Sequence, residues 1–545
     1  MGYDKARLYW LAAIAAAAFI ICLPATRGGF NWDELNIYFG SSSFMPFYGF
    51  GYHRPLFISL LNLERALFGA NAVPYHLVNS TLHAANSVMV LIVAIRLLRS
   101  RTAAIVSALL FALHPVNSEA VAWVFAGSEL LKTFFLLIAL NLYLMYREDG
   151  KIHALLASAL FYLLSCLSGQ GALVLPLVIL LYDWFVLGNG FRKVRVPALF
   201  FSAALMVYMA AFRGAGEVLS PDGARVLNIY NAFSALGYYA LKLLLPLKLS
   251  LLPRLDDTPI YTVMAVALLG LPFLFIKRWK KEFFLIFFVI IMLLPPFLVA
   301  MSAPAYPLGI IYMYSVAIGF SMLASLLLTR IRNPRAMVAV VLALAVIYAA
   351  GTMDRAAVWG DRNELWKEAE GANDTSVMHK INLAASLVSS GREDDAKLPL
   401  RMALQDPGVS SDEFKKVMIM LHKVSPGSDD EIFDLLSEAK GAGKANLGMG
   451  FFYFELYSKD KARNKVILRK AIKYLTKAVE EDQSLVLARY YLGIGYLETG
   501  EYEKSIEELL FVNSVDHSGR YSSDMEYYLG LARKLKDLPD KQSTK

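Results

Sequence analysis

The chain has 545 residues, of which 57% are apolar and 18% charged, with a mean hydropathy of +0.46. A soluble globular protein rarely carries so much apolar sequence. The net charge of +8 does not describe a nucleic-acid footprint, because it is split along the chain: residues 1–352 hold 26 Lys and Arg against 14 Asp and Glu, and residues 353–545 hold 28 against 32. Apolar stretches of membrane-span length recur to about residue 352 and then stop. The pattern predicts an all-α protein with a polytopic membrane helical bundle over 1–352, a linker over 353–372 and a soluble helical domain over 373–545. The two cysteines, Cys22 and Cys166, both fall in apolar runs, so no disulfide framework is readable.

The first apolar run, "LYWLAAIAAAAFIICLP", starts after Lys5 and Arg7 and has no small-residue cleavage site beyond it. It reads as a retained span rather than a cleaved signal. Further runs near 75–95, 102–114, 120–146, 153–167, 171–188, 197–212, 260–276, 283–301, 308–329 and 336–352 bring the expected number to about eleven. Basic clusters at 96–101, 191–195, 276–282 and 330–335 belong in the cytoplasm by the positive-inside rule. An N-terminus inside and an odd number of crossings then put the C-terminal domain on the periplasmic or lumenal side of a bacterial inner or ER-like membrane. The segment 225–252 is apolar, yet a crossing there would break this alternation. It reads as interfacial or re-entrant, interrupted by Pro246 and Pro253.

This orientation collects the polar groups with chemical potential on the outer face. "FNWDELNIYF" at 30–39 places Asp33 and Glu34 just beyond a membrane exit, and His53-Arg54 follow in "FYGFGYHRPL". A carboxylate pair there is either a catalytic loop, where one carboxylate raises the pKa of the other and takes a proton, or a solvated interface. Arg54 could fork a phosphate; with His53 it could equally anchor the loop by snorkelling. His114 and Glu119 line the outer end of the third span. Glu129 and Lys132 lie inside the fourth, one turn apart, where charges are functional candidates by default but can also simply pair. His76, Asn79 and His83 share one helical face and read as an interhelical hydrogen-bond seam. No carboxylate or cysteine stands at matching spacing for a zinc site. The Tyr182-Asp183 pair, near the cytoplasmic end, reads as structural.

The soluble part carries internal repeats. In "LARYYLGIGYLETGEYEKSIEELLFVN", Gly493, Tyr496, Gly500, Tyr502, Ser505, Leu509 and Val512 have the spacing of a tetratricopeptide repeat, and 34 residues earlier stand Ala471, Leu475 and Ala478. An earlier unit shows Ala384, Gly391, Ala396, Leu400 and Ala403 at the same offsets. Small residues there let paired helices approach, and apolar ones fill the seam. The expected architecture is an α-solenoid that binds a protein partner.

The ordered set "NWDELNIY", "YHRPL", "LFGANAVPYHLVNSTLH", "FALHPVNSEAVAWV", "LPLVILLYDW" and "LGYYALKLLLPLKLSL", leading through "RAAVWGDRNELWKEA" into the repeats, resembles the transmembrane O-mannosyltransferase-like proteins with tetratricopeptide repeats. The resemblance implies a C-type membrane glycosyltransferase fold and a sugar donor on polyprenyl phosphate. It also implies an acidic base in the first outer loop, the role of Asp33, with Glu34 beside it. His53, Arg54, His114, Glu119, Glu129 and Lys132 are then the residues expected to bind donor or acceptor. No cofactor is expected, since the lipid-linked sugar is a substrate, and metal dependence is left open. The acceptor is an exported protein or glycan; the other partners are membrane lipid and a protein on the repeats. The chain departs from the family pattern at three places. Ser168-Gly169-Gln170 stands for Ser-Lys-Glu, Ala126-Gly127 for Gly-Arg, and Ile310-Ile311 for Glu-Arg. Each removes charge at the outer face, and Lys132, Arg213, Lys242 and Lys248 are the cations available to replace it. A catalytically lapsed scaffold is therefore the alternative function. A transporter is disfavoured by the scarcity of intramembrane charge and the lack of visible internal symmetry.

Overall fold

A computed structural model of the chain describes residues 2–30, 54–211, 229–249, 259–275, 279–302, 309–371, 377–406, 411–425, 429–440, 442–459, 465–515 and 522–537. Every regular element among them is helical. They group into two units, 1–374 and 375–545.

The first unit runs α1 (Gly2–Ile21), α2 (Pro55–Phe68), α3 (Ala72–Leu98), α4 (Arg101–Leu113), α5 (Ser118–Ala122), α6 (Gly127–Asp149), α7 (Ile152–Ser168) and α8 (Leu175–Leu181). It continues with α9 (Phe191–Ala211), α10 (Ile229–Leu244), α11 (Pro259–Phe275), α12 (Lys280–Met292), α13 (Leu294–Ser302), α14 (Met313–Leu328), α15 (Pro334–Trp359) and α16 (Arg362–Gly371). Among the described residues, seven helical stretches are long and apolar enough to cross a membrane: Leu8–Arg27, Ala72–Leu98, Val124–Asp149, Lys193–Ala210, Lys280–Leu298, Ile310–Leu328 and Pro334–Trp359. An eighth forms if α4 and the stretch Pro115–Ala122, bent by 51°, are one span. Shorter apolar helices cover Ile152–Ser168, Gln170–Val186 and Pro259–Gly270.

Local sequence sets the helix ends. The Asn71 side chain accepts from the Val73 N–H at 3.2 Å and starts α3. Arg99 takes a left-handed turn (φ 53°) that lets Ser100 cap α4 at once. Asn333 caps α15 through the N–H groups of Arg335 and Ala336, with Pro334 in the first helical position. The sequence places the fourth span from residue 120. The structure instead gives Ser118–Ala122 to the bent end of the third, because Trp123 is extended (ψ 119°) and breaks the helix before α6. α10 ends at Leu244, two residues before Pro246. α15 runs unbroken through residue 352 to Trp359.

Helix α3 packs on α1, α4 and α6, and α14 fills the space against α4 and α12. The shared core is aliphatic and aromatic, with Val90, Phe111, Leu136, Tyr143, Phe284 and Tyr314 fully enclosed. Polar side chains stitch the helices together inside it. His83 Nδ1 meets the Tyr314 hydroxyl at 2.8 Å, and Nε2 meets the Ala112 carbonyl at 3.0 Å. Asn86 donates to Leu130 O and to the Tyr314 hydroxyl, while Ser107 pairs with Ser325 and Thr133 with Ser315. In hydrocarbon such groups must find partners inside the protein.

The second unit is a run of nine helices among the described residues. These are α17 (Val377–Ser389), α18 (Glu393–Gln405), α19 (Ser411–Val424), α20 (Asp429–Lys440), α21 (Ala442–Lys459), α22 (Lys465–Glu481), α23 (Val486–Thr499), α24 (Tyr502–Val515) and α25 (Ser522–Lys536). Most pack on the next in sequence, and several also touch the helix after that. Ten of the residues picked out by the repeat spacing are fully buried between helices, namely Ala384, Ala396, Leu400, Ala403, Ala471, Leu475, Ala478, Ser505, Leu509 and Val512, whereas Gly391 and Gly500 are exposed and Tyr496 and Tyr502 half-buried. Ser505 Oγ donates across one seam to the Gly493 carbonyl at 2.7 Å.

Candidate functional site

Charge in the first unit is sorted to the two ends of the bundle. At one end Asp183, fully buried, accepts from Tyr143 OH at 2.6 Å and from Arg147 Nε at 2.8 Å. Nearby, Arg96 pairs with Glu148 and Arg330 with Glu282, while Lys281 donates to the Leu98 carbonyl at 2.7 Å. Every one of these cations is neutralised or capped, as structural anchors are. Asp183 is thus closed off between Tyr143 and Arg147, an arrangement consistent with the structural role read from the sequence.

The opposite end of α6 is different. Lys132 and Arg147 are fifteen residues apart on that helix, about 22 Å along its axis. Here Glu129 and Lys132 form an ion pair one turn apart, at 3% and 4% exposure. Glu129 is the one hydrogen-bond partner of the Lys132 ammonium among the described residues. The lysine lies against the loop Ser168–Gly171. A β-carbon at position 169 would stand 3.1 Å from Lys132 Cδ, and one at 171 would stand 2.9 Å from Nζ. Gly169 is extended (φ −178°), a conformation open to any residue, so close approach and not backbone strain explains the glycine. The two glycines make the slot that the lysine fills. Ser165 Oγ holds the turn by donating to the Lys132 carbonyl at 2.7 Å.

Arg54 comes to the same place from the N-terminus of α2. Its guanidinium donates to Ser128 Oγ at 2.6 Å, and Ser128 neighbours Glu129. Gln170 lies beside the Tyr208 hydroxyl, which also feels the Arg54 charge. The start of α6 is set by Asn79, whose amide donates to the Val121 and Trp123 carbonyls, both at 3.2 Å. Gly127 admits this contact: a β-carbon there would fall 2.5 Å from Asn79 Oδ1 and 3.1 Å from Phe57. Phe30, Phe57, Tyr75 and Val124 make a small apolar cluster beside it. Phe30 and Arg54, the described residues that flank 31–53 in the sequence, both lie at this end of the bundle. Asp33, Glu34 and His53 lie outside the described residues.

The remaining sequence candidates sit elsewhere. His114 is fully buried with both ring nitrogens engaged, Nε2 against the Leu243 carbonyl at 3.1 Å and Nδ1 accepting from Val116 N–H at 3.3 Å. Tyr348 packs against its ring at 4.5 Å. Glu119 faces the peptide N–H groups of Ile310 and Ile311 and the Arg355 charge. Its Oε2 has no hydrogen-bond partner among the described residues. Arg355 also pairs with Glu368 of α16, so Glu119 and Arg355 tie the start of α14 to α5 and the end of α15. His76 reaches Gly29 O at 3.4 Å, which completes the seam expected from His76, Asn79 and His83. Ser128, Gln170, Gly169 and Gly171 were not singled out as site residues from sequence. The alternation of glycines in "SGQG" at a helix end was the available signal.

Together the fold and this cluster define a multi-pass membrane protein, helical in every regular element of its described residues, with the buried Glu129–Lys132 pair and Arg54 gathered at one end of its bundle. No family model matches the chain. It is similar over part of its length to curated protein O-mannosyl-transferases. These include TMTC3 of Mus musculus, 39% identical over 87 residues, 16% of this chain and 9% of that protein. Tmtc1 of Drosophila melanogaster is 30% identical over 157 residues, 25% of this chain and 18% of that protein. TMTC1 of Homo sapiens is 30% identical over 148 residues, 25% and 17% of the two chains. The similar stretches thus span less than a fifth of these relatives.

Proposed function

We propose that the protein is a membrane glycosyltransferase of the C-type class that moves a sugar from a polyprenyl-phosphate donor to a hydroxyl of an exported protein or glycan. In this reading the bent pair and the three shorter apolar helices also cross, which makes eleven crossings, and the reaction and a tetratricopeptide solenoid that recruits the acceptor lie on the periplasmic or lumenal face. The observation that carries the reading is the Arg54–Ser128–Glu129–Lys132 cluster beside the two ends of the segment that holds Asp33 and Glu34. Partial similarity to proteins named protein O-mannosyl-transferases supports it.

In this reading the acceptor oxygen attacks the anomeric carbon as the bond from that carbon to the phosphate oxygen breaks. Asp33 takes the hydroxyl proton. Arg54, anchored on Ser128, and Lys132, aimed by Glu129, receive the negative charge that grows on the leaving phosphate. Lys132 occupies the volume beside Gly169 and Gly171, so one cation reaches the outer end of the bundle from α6 although the Ser168–Gly171 loop carries none. Glu34 tunes Asp33, and His53 donates to the phosphate.

The test is sugar transfer from polyprenyl-linked donors in membranes, with expression verified. Asp33→Asn keeps size and loses basicity, and is expected to slow transfer by roughly two to four decades. Equal transfer by wild type and Asp33→Asn refutes the base assignment. A second reading, a lapsed enzyme acting as a scaffold, is favoured by the uncharged residues at 127, 169–170 and 310–311. It takes over if wild type transfers from no polyprenyl-linked donor.

A further inference from the structure

We infer that the outward face of α22 is a docking surface for an anionic membrane surface. The helix carries Lys465, Arg469, Lys473 and Lys477 at four-residue intervals, all exposed. They form one stripe about 18 Å long, opposite the face that buries Leu468, Ala471, Leu475 and Ala478 in the unit's own seam. None of the four has an ion-pair or hydrogen-bond partner among the described residues. Many other cations of this unit are paired: Lys380 with Asp406, Arg392 with Asp395, Lys397 with Asp394, Lys470 with Asp429, Arg489 with Glu508 and Lys504 with Glu501.

Like charges at i, i+4 destabilise a helix, so the run works against the stability of α22 and stands apart from the pairing around it. At the N-terminal end of the stripe, next to Lys465, Val466 is 67% exposed. A solvent-exposed aliphatic group flanked by long basic side chains is what an interfacial contact uses: the lysine and arginine heads reach headgroup phosphates while the short apolar group meets the layer beneath.

Covalent linkage to a membrane-spanning unit favours a lipid occupant over an acidic polypeptide, because tethering raises the effective concentration of bilayer available to the second unit. Each cation near an anionic surface is worth roughly fivefold in partition, and the attraction fades within a Debye length. The proposal does not depend on the chemistry of the first unit.

Full-length protein carrying a Val466→Cys fluorophore is reconstituted in vesicles of phosphatidylcholine, with or without phosphatidylglycerol, that contain a headgroup-quencher lipid. The native Cys22 and Cys166 are buried, and labelled wild type gives the background. Quenching is expected to be several-fold stronger in anionic vesicles and to be abolished by high salt. The Arg469→Gln/Lys473→Gln/Lys477→Gln variant should lose it, and Arg469→Lys/Lys473→Arg should keep it. Unchanged helicity and melting of the variants separate this loss from unfolding. Equal quenching in neutral and anionic vesicles overturns the proposal. So does absent quenching in anionic vesicles combined with an emission shift on adding polyglutamate, which would assign the stripe to an acidic polypeptide.

Discussion

Lys132 shows how one buried side chain can organise its surroundings. A lysine at 4% exposure carries a desolvation cost that a single carboxylate offsets only in good geometry. Removing one partner leaves the other charge uncompensated, so Lys132→Met is expected to lose about 3–5 kcal/mol of stability. Lys132→Met/Glu129→Leu should recover most of that loss, because paired removal of buried charges is often neutral. Thermal unfolding in detergent reads both, and equal destabilisation by the single and double variants would refute a coupled pair. Gly171→Ala separates stability from function. Its β-carbon would meet only the mobile tip of the lysine, so folding should survive. If the proposed transferase reading holds, displacement of the ammonium by about 1 Å should slow sugar transfer by up to roughly 100-fold. An unchanged rate would remove Lys132 from the reaction.

At the scale of elements, α19 to α22 contain a titratable joint. His422 of α19 stacks on Phe452 of α21, with Nδ1 against the Met418 carbonyl at 3.0 Å. Burial, and to a lesser degree the Lys470 charge, hold its pKa below the ordinary 6.5, against the opposing pull of the Met418 carbonyl and Asp429. The neutral ring is the folded form. The stability it contributes is complete above pH 6.5 and is lost as pH falls through the lower folded value. Beside it Asp429 accepts from Tyr453 and from Lys470 at 2.9 Å. Burial pushes that carboxyl up, but these two donors outweigh it and hold it below the ordinary 3.8, so its contribution survives until still lower pH. Hydrogen exchange in α19 and α21 should therefore quicken as pH falls below 6.5, after correction for intrinsic exchange, and His422→Gln should flatten the change. A wild-type profile that stays flat down to pH 4 would contradict the buried neutral histidine.

For the whole molecule, the prediction of consequence is sidedness. The sorted charges make two chemically different ends, one of closed anchoring pairs and one with an ammonium that retains donor capacity. If the anchoring end faces the cytoplasm, as the positive-inside rule requires, and the chain crosses the proposed eleven times, residues 375–545 lie outside. A reporter active only in the cytoplasm, fused after Lys545, should be silent, and strong activity would reverse the orientation and displace the proposed site. The second unit has its own buried seams, so a polypeptide of residues 373–545 should fold as a soluble helical protein by circular dichroism. If it stays unfolded, the unit needs the rest of the chain for stability.

The sequence alone determined the helical class, the change of character after the last apolar run, many of the small and apolar residues buried between helices of the second unit, and the one-turn spacing that lets Glu129 and Lys132 pair. Each of these is written in local periodicity, in composition or in a spacing of three or four residues, which backbone geometry converts directly into a shared face. Tertiary structure alone decided what those residues meet. Gly169 and Gly171 are glycines because a lysine from a neighbouring helix fills their side-chain volume. Arg54 belongs with Ser128, 74 residues away, and His114 spends its nitrogens on the carbonyl of Leu243 and the N–H of Val116. Such pairings join helices distant in the chain. Their partners are selected by how the bundle packs, and helical periodicity carries no record of which distant helix will supply them.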